Sequence, residues 1–296
     1  VKPESSSIKR IACGDVDLAV QDTGSGPDAL LLVHAFPLNR RMWAPQVAAL
    51  SGELRCIAPD LRGFGDSGTG AASGSEASAE SGASIWTMDR FADDLACVLD
   101  ALQVPRAIVC GLSLGGYISL AFWRRHPDRV RALVLADTRA GADSDEGREK
   151  RRATIRTARE EGAQAVAEQS LSGLLGKTTR EQDGEPVATA RALLAQARVE
   201  GIVGASEAMM SRPDSTPTLA TISVPTLVLV GEEDALTPVK DSRAMADAIP
   251  GAKLEVIPAA GHLSNIERPA AFTRVLRDFV ASLPADDAAR SKIRAT

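Results

Sequence analysis

With 296 residues, 44% of them hydrophobic, the chain can bury a sizeable core, and its length fits one large α/β domain, alone or with an insertion, better than two unrelated domains. Thirty-four Lys and Arg against 39 Asp and Glu leave a formal charge of −5, which argues against a general nucleic-acid binder, because phosphate neutralisation needs a clustered excess of cations. No run approaches the roughly 18 apolar residues of a membrane helix, and Val1 to Arg10 lacks the apolar stretch of a signal peptide, so a soluble, cytosolic protein is expected.

Ala29 to Val33 is a compact apolar run followed by His34-Ala35-Phe36-Pro37, and Arg55 to Ala58 is another, followed by Pro59-Asp60. Both read as buried parallel strands that end in loops. Thr69 to Ser84 is almost entirely Gly, Ala, Ser and Glu; it has too little apolar surface to order itself and is expected to be a mobile loop. Met88, Phe91, Leu95, Val98 and Leu102 recur three and four apart and define one face of a crossover helix leading to a strand at Ala107 to Cys110. Further strands are predicted at Ala132 to Leu135, Thr226 to Val230 and Leu254 to Ile257, with a closing helix over Pro269 to Leu283. Alternating strands and helices imply a mainly parallel, twisted sheet covered on both faces.

Thr138 to Pro217 interrupts that alternation with a long, charged, helix-patterned stretch. It is expected to form a helical cap over the carboxyl edge of the sheet, where α/β proteins place their ligand sites. The domain layout is then a core of residues 1–137 and 218–284, a cap of 138–217 and a polar tail of 285–296. The one basic run, Arg148 to Arg152, is interleaved with acids and reads as a solvated helix face. Cys13, Cys56, Cys97 and Cys110 show no metal-type spacing and are expected to be reduced thiols, with no metal site.

Gly111-Leu112-Ser113-Leu114-Gly115 follows the predicted strand Ala107 to Cys110. Small residues flank Ser113 because a strand that reverses directly into a helix brings neighbouring backbone too close for side chains, and the serine is left exposed on a strained turn. A serine hydroxyl is a poor nucleophile at neutral pH and needs a base with a group to orient it. Of the three histidines, His126 sits at the far end of the helix that Ser113 starts and reads as structural. His34 follows a strand at the same sheet edge; it reads chiefly as a loop-holding residue and secondarily as a substrate contact. His262, in Ala259-Ala260-Gly261-His262-Leu263, follows the last strand and is the preferred base. Asp234, directly after the preceding strand, is the preferred acid, with Glu232, Glu233 and Asp137 as rivals. The backbone N–H groups of Leu114 and Phe36 are the candidate oxyanion donors. Met209 and Met210 are candidates for lining an apolar acyl pocket or, equally, for cap packing. Gly63-Phe64-Gly65-Asp66-Ser67-Gly68 spells a dinucleotide fingerprint, but low-complexity sequence follows where a helix must begin, so no nucleotide cofactor is implied.

The order Ser113, Asp234, His262, the loop His34-Ala35-Phe36-Pro37 and the run Asp60-Leu61-Arg62-Gly63-Phe64-Gly65-Asp66-Ser67 together resemble serine hydrolases of the α/β-hydrolase fold, of the esterase and lactonase kind, over nearly the whole chain. The chain departs from the family in having His34-Ala35 where His-Gly is usual. The resemblance implies cofactor-free hydrolysis of a small-molecule ester or lactone through an acyl-enzyme. Serine at the elbow argues against the haloalkane dehalogenase and epoxide hydrolase branches, which resemble one another in having aspartate there. Carboxylesterase, acyl-homoserine-lactone hydrolase and enol-lactone hydrolase stand together at this point, with perhydrolase or haloperoxidase activity as a side reaction of the same residues. A non-catalytic ligand-binding member of the fold is the competing reading. Neither nucleic acid nor membrane is expected as a partner, and self-association as a homo-oligomer is allowed.

Overall fold

The computed structural model describes residues 7–70 and 86–285. Eight strands among them form one sheet in the order β1-β2-β4-β3-β5-β6-β7-β8: β1 Ser7–Cys13, β2 Val16–Thr23, β3 Ala29–Val33, β4 Arg55–Pro59, β5 Ala107–Leu112, β6 Val130–Ala136, β7 Thr226–Gly231 and β8 Lys253–Ile257. From β4 to β8 every neighbouring pair is parallel. The six strands predicted from apolar runs are therefore present, and alternate residues explain why the runs are continuous. Leu31 and Val33 of β3 join the core on one face, whereas Leu30 and Leu32 join the core on the other. A strand buried on both sides has no solvent face on which to alternate.

Helices supply the two covers. Helix α2, Met88–Ala101, puts Phe91, Leu95 and Val98 into the first core together with Leu120 and Phe122 of α3, Leu114–Arg125. Thr87 caps α2 by accepting the Arg90 N–H, which satisfies one of the donors a helix start leaves free. On the opposite face α1, Ala44–Leu50, contributes Val47 and Leu50, and the closing helix, Pro269–Ala281, contributes Phe272, Leu276 and Phe279.

The edge hairpin β1-β2 is an addition that the apolar-run reading misses. Its strands are antiparallel, with Cys13 opposite Val16, and Gly14 takes the turn with φ +65°, the left-handed conformation such a two-residue connection favours. Ile11, Cys13 and Val16 are buried between exposed neighbours, so the pattern there is a period of two instead of a solid run.

The cysteine expectation needs correction. Cys13 and Cys97 form a disulfide, with Cα atoms 5.8 Å apart, that ties the edge hairpin to α2 across 84 residues of sequence. Chain spacing carries no trace of it, because only the packing of α2 on β1 brings the two together. Disulfides belong to oxidising compartments, so cysteine usage does not support the cytosolic expectation. Cys56 and Cys110 are free and buried; burial pushes the Cys56 thiol up to about 12 and that of Cys110 higher still. Among the described residues no helix is long and apolar enough to cross a membrane.

Six helices lie between β6 and β7: α4 Asp145–Glu160, α5 Ala163–Leu174, α6 Lys177–Gln182, α7 Glu185–Leu194, α8 Val199–Ser211 and α9 Thr216–Leu219. After β7 come α10, Val239–Ala248, and α11, Ser264–Glu267, leaving the closing helix as α12. The Gly63–Gly68 segment forms turns around the buried Asp60 carboxylate, which accepts the Arg40 and Asp66 backbone N–H groups and pairs with the Arg40 guanidinium. No helix begins within 61–70. The low-complexity stretch beyond Gly70 and the tail beyond Ala285 lie outside the described residues.

Thiol titration of the unfolded, unreduced protein is expected to count two groups, not four. Cys13→Ser is expected to cost about 2–4 kcal/mol of stability, read as a lowered melting temperature that reduction of the wild type reproduces; four titratable thiols would refute the bridge.

Candidate active site

Ser113 stands between β5 and α3 with φ +56° and ψ −110°, a conformation L side chains rarely adopt, at a cost of order 1–3 kcal/mol. Its surroundings leave no room for anything but glycine nearby. A Cβ on Gly111 would fall 2.1 Å from the Gly115 carbonyl oxygen, and one on Gly115 would fall 2.2 Å from that of Val33. The turn is held from both ends: the Ser113 N–H donates to Ala136 O (3.0 Å), and the Thr138 hydroxyl donates to Ser113 O (2.9 Å).

The other two side chains arrive on loops after β7 and β8. A Cβ on Gly231 would meet the Gly261 carbonyl at 2.1 Å, so these loops touch at their bases. Ser113 Oγ lies 2.8 Å from His262 Nε2, and His262 Nδ1 lies 2.8 Å from Asp234 Oδ2. Asp234 Oδ1 accepts the Leu236 and Thr237 N–H groups (2.8 and 3.0 Å), and Oδ2 accepts the Thr237 hydroxyl (2.6 Å). Burial alone would raise the pKa of Asp234; the His262 imidazole and the Thr237 donors outweigh it and hold the carboxyl below its ordinary value. A carboxylate so held keeps the Nδ1 proton on the side away from Ser113, leaving Nε2 free to accept from the hydroxyl.

The rival acids are engaged elsewhere. Glu232 accepts the Ala259 N–H, and Glu233 accepts the N–H and hydroxyl of Thr178. Asp137, fully buried at φ +44°, accepts the Gly231 N–H (2.8 Å) and the Ser264 hydroxyl. Burial, reinforced by the charge of Asp234, pushes its pKa well above the usual carboxylate range.

The remaining predicted residues divide. Phe36 and Met209 line a cavity of about 440 Å³ that opens on Ser113 and His262, and Leu114 opens α3, where a helix leaves its first N–H groups without intrahelical partners. The Phe36-Pro37 peptide is cis. His34 and Met210 are not brought to the cavity. The His34 Nδ1–H donates to Ala35 O and its Nε2 accepts the Leu61 N–H, both at 3.0 Å, so its two ring nitrogens are spent on backbone; complete burial lowers its pKa, which keeps the ring neutral. Met210 packs beside Ile155 and Val203 in a small core of the helical segment. His126 is at the end of α3, bonded to Asp93 (2.8 Å). Arg148 and Arg152 pair with acids on the exposed face of α4, but Lys150 and Arg151 of the same basic run line the cavity, a correction to the reading of that run as solvated throughout. A helical repeat of 3.6 turns position 151 inward.

Two supporting residues escape the sequence reading. Thr237 completes an Asp-x-x-Thr turn, a local pattern that the spacing does carry. Glu267, buried, accepts the Gly261 and Leu263 N–H groups on either side of His262 (2.9 and 3.2 Å) and the Gly176 N–H (2.9 Å); nothing local marks it. Among the described residues no group of three or more His, Cys, Asp or Glu side chains is disposed to hold a metal ion.

The profile of the alpha/beta hydrolase fold family matches residues 28–269. The chain belongs to this family. As an alpha/beta hydrolase it is 29% identical to 3-oxoadipate enol-lactonase 2 of Acinetobacter baylyi over 248 residues, covering 84% of this chain and 86% of that one. Its fold superposes with a TM-score of 0.86 on a malate-bound thermophilic esterase of Thermogutta terrifontis, 38% identical, covering 94% of this hydrolase and all of the other chain. With the enol-lactonase of Burkholderia xenovorans the TM-score is 0.82 at 30% identity, over 93% of this chain and all of that one.

The buried Asp137 has a measurable consequence. An acid whose pKa is raised by folding contributes stability that is full below the ordinary carboxylate value of about 4 and is lost as pH rises through the raised value. The melting temperature of Asp137→Asn relative to wild type is therefore expected to climb as pH rises above about 4; a difference that does not change with pH would contradict the assignment.

Proposed function

We propose that this alpha/beta hydrolase cleaves carboxylic esters or lactones by nucleophilic catalysis at Ser113. The observation that carries the reading is the unbroken chain Ser113 Oγ, His262, Asp234, each link 2.8 Å long, at the floor of a cavity large enough for a small substrate. Similarity to an esterase and to enol-lactonases supports the substrate class.

In the proposed sequence His262 Nε2 takes the Ser113 proton as Oγ attacks the substrate carbonyl. The N–H groups of Leu114 and Phe36 receive the developing oxyanion. Collapse of the tetrahedral adduct expels the alkoxide, which leaves with the proton held by His262 and gives an acyl-enzyme; in a lactone the alkoxide stays tethered to the acyl group. His262 then takes a proton from water, the hydroxide attacks the acyl carbon, and Ser113 leaves with that proton. Asp234 fixes the imidazole tautomer and stabilises the imidazolium formed in each half-reaction without itself being protonated. The 145–219 helices act as a cap that shields the carbonyl from bulk water.

Steady-state hydrolysis of p-nitrophenyl acetate, butyrate and octanoate and of a γ-lactone tests the reading. Ser113→Ala and His262→Ala are each expected to lower kcat at least about a thousandfold, and their double variant no further, because members of such a unit fail together. Asp234→Asn is expected to lose about 10⁴ in kcat through the wrong imidazole tautomer. Equal rates in wild type and Ser113→Ala would refute serine catalysis.

A further inference from the structure

The charge of the cavity wall is not explained by ester cleavage as such. Arg139, Lys150 and Arg151 line it, and no Asp or Glu is among its lining residues. Lys150 is at the exposed rim, paired with Glu146. The two arginines are inside. Arg151 is mostly buried, with its guanidinium carbon 5.9 Å from the centre of the Phe36 ring, beside the proposed oxyanion loop. Arg139 follows β6 and forms the wall between the catalytic cavity and a smaller one of about 210 Å³ that Asp241 lines. Its guanidinium lies against Tyr117, one helical turn beyond Ser113, and its buried Nε has no hydrogen-bond partner.

The acids nearby do not balance these cations. Asp143 already serves Arg212 at 2.9 Å and Arg151 at 3.4 Å; Arg212 is itself stacked on the Tyr117 ring at 4.0 Å. One buried carboxylate thus stands among three guanidiniums, and Asp241 reaches Arg139 only from the far side of the wall. A cavity wall with excess fixed positive charge favours an anionic guest, and the planar fork of a guanidinium fits a carboxylate.

Resting on the ester and lactone hydrolase reading, we propose that the site is selective for esters or lactones that carry a second, free carboxylate, which Arg139 binds with Arg151 beside it. The substrate's scissile carbonyl sits at Ser113 while its anionic end lies against the β6–α4 wall. Met209 and Phe36 contact the apolar stretch between the two ends.

The test compares monomethyl glutarate with its neutral isostere, methyl 5-methylhexanoate, by pH-stat, with p-nitrophenyl butyrate as the control for catalysis. Wild type is expected to favour the anionic ester at least about tenfold in kcat/KM, mainly through KM, and the preference should shrink with added salt. In Arg139→Gln the anionic ester should lose at least about tenfold more than the neutral one, and Arg139→Lys should restore part of the difference. Equal or faster turnover of the neutral ester by wild type, or equal losses on both esters in Arg139→Gln, would overturn the inference while p-nitrophenyl butyrate hydrolysis keeps the hydrolase reading intact. Absence of turnover on all three would overturn both. Should Arg139→Gln fold poorly, inhibition of the wild type decides: glutarate is expected to compete at least about tenfold better than the neutral 5-methylhexanamide, and equal inhibition would refute the proposal.

Discussion

One steric constraint organises the molecule: the chain must turn from β5 into α3 within a single residue while the carbonyls of Gly115 and Val33 crowd the turn. Only glycine fits at positions 111 and 115, and Ser113, midway between them, is driven to φ +56°. The strain is sustained because β5 is buried over all six residues between β3 and β6 and α3 is buried along most of its length. A turn so over-determined cannot relax, and the hydroxyl of Ser113 is left standing above the sheet edge. A looser turn would let the serine swing into the helix start, where its oxygen would serve as an ordinary cap.

The two other loops at that edge are positioned by the same kind of close approach. Gly231 and Gly261 touch backbone to backbone, and Glu267 grips the N–H groups on both sides of His262. Each loop is also tied to the helical segment above it. Glu267 takes the Gly176 N–H, and Glu233 takes the N–H and hydroxyl of Thr178. Gly176 and Thr178, at the start of α6, therefore rest on the segments that carry Asp234 and His262, so a displacement of the helices and a displacement of these two side chains are linked through three hydrogen bonds.

Electrostatics grades the buried groups at this edge by their partners. Asp234, surrounded by donors, stays charged; Asp137, one strand away, is held by two donors and faces the charge of Asp234, and its proton is bound tightly. Two carboxyl groups in one neighbourhood cannot both ionise cheaply, and the one that faces the imidazole keeps the charge. Across the cavity the balance reverses, with Arg139, Arg151 and Arg212 gathered about Asp143. The site thus has a negative pole beneath the histidine and a positive pole on the wall past Tyr117.

Much of this was legible in the chain before any coordinates. Strands buried on both faces read as solid apolar runs, the 111–115 spacing announces its turn by the absence of side chains, and the order Ser113, Asp234, His262 follows from which loops come after which strands. These are local properties, determined by neighbours in sequence. The pairing of Cys13 with Cys97, the capture of Glu233 and Glu267 by the helical segment, the retreat of His34 into the interior, the inward turn of Arg151 and the meeting of Arg139 with Tyr117 are decided by contacts between segments dozens of residues apart. The sequence by itself determined the strands, the elbow and the order of its reactive groups, because strand burial and turn sterics act over a few residues. Only the tertiary structure decided which charges line the cavity, because charge on a cavity wall depends on packing that no local spacing records.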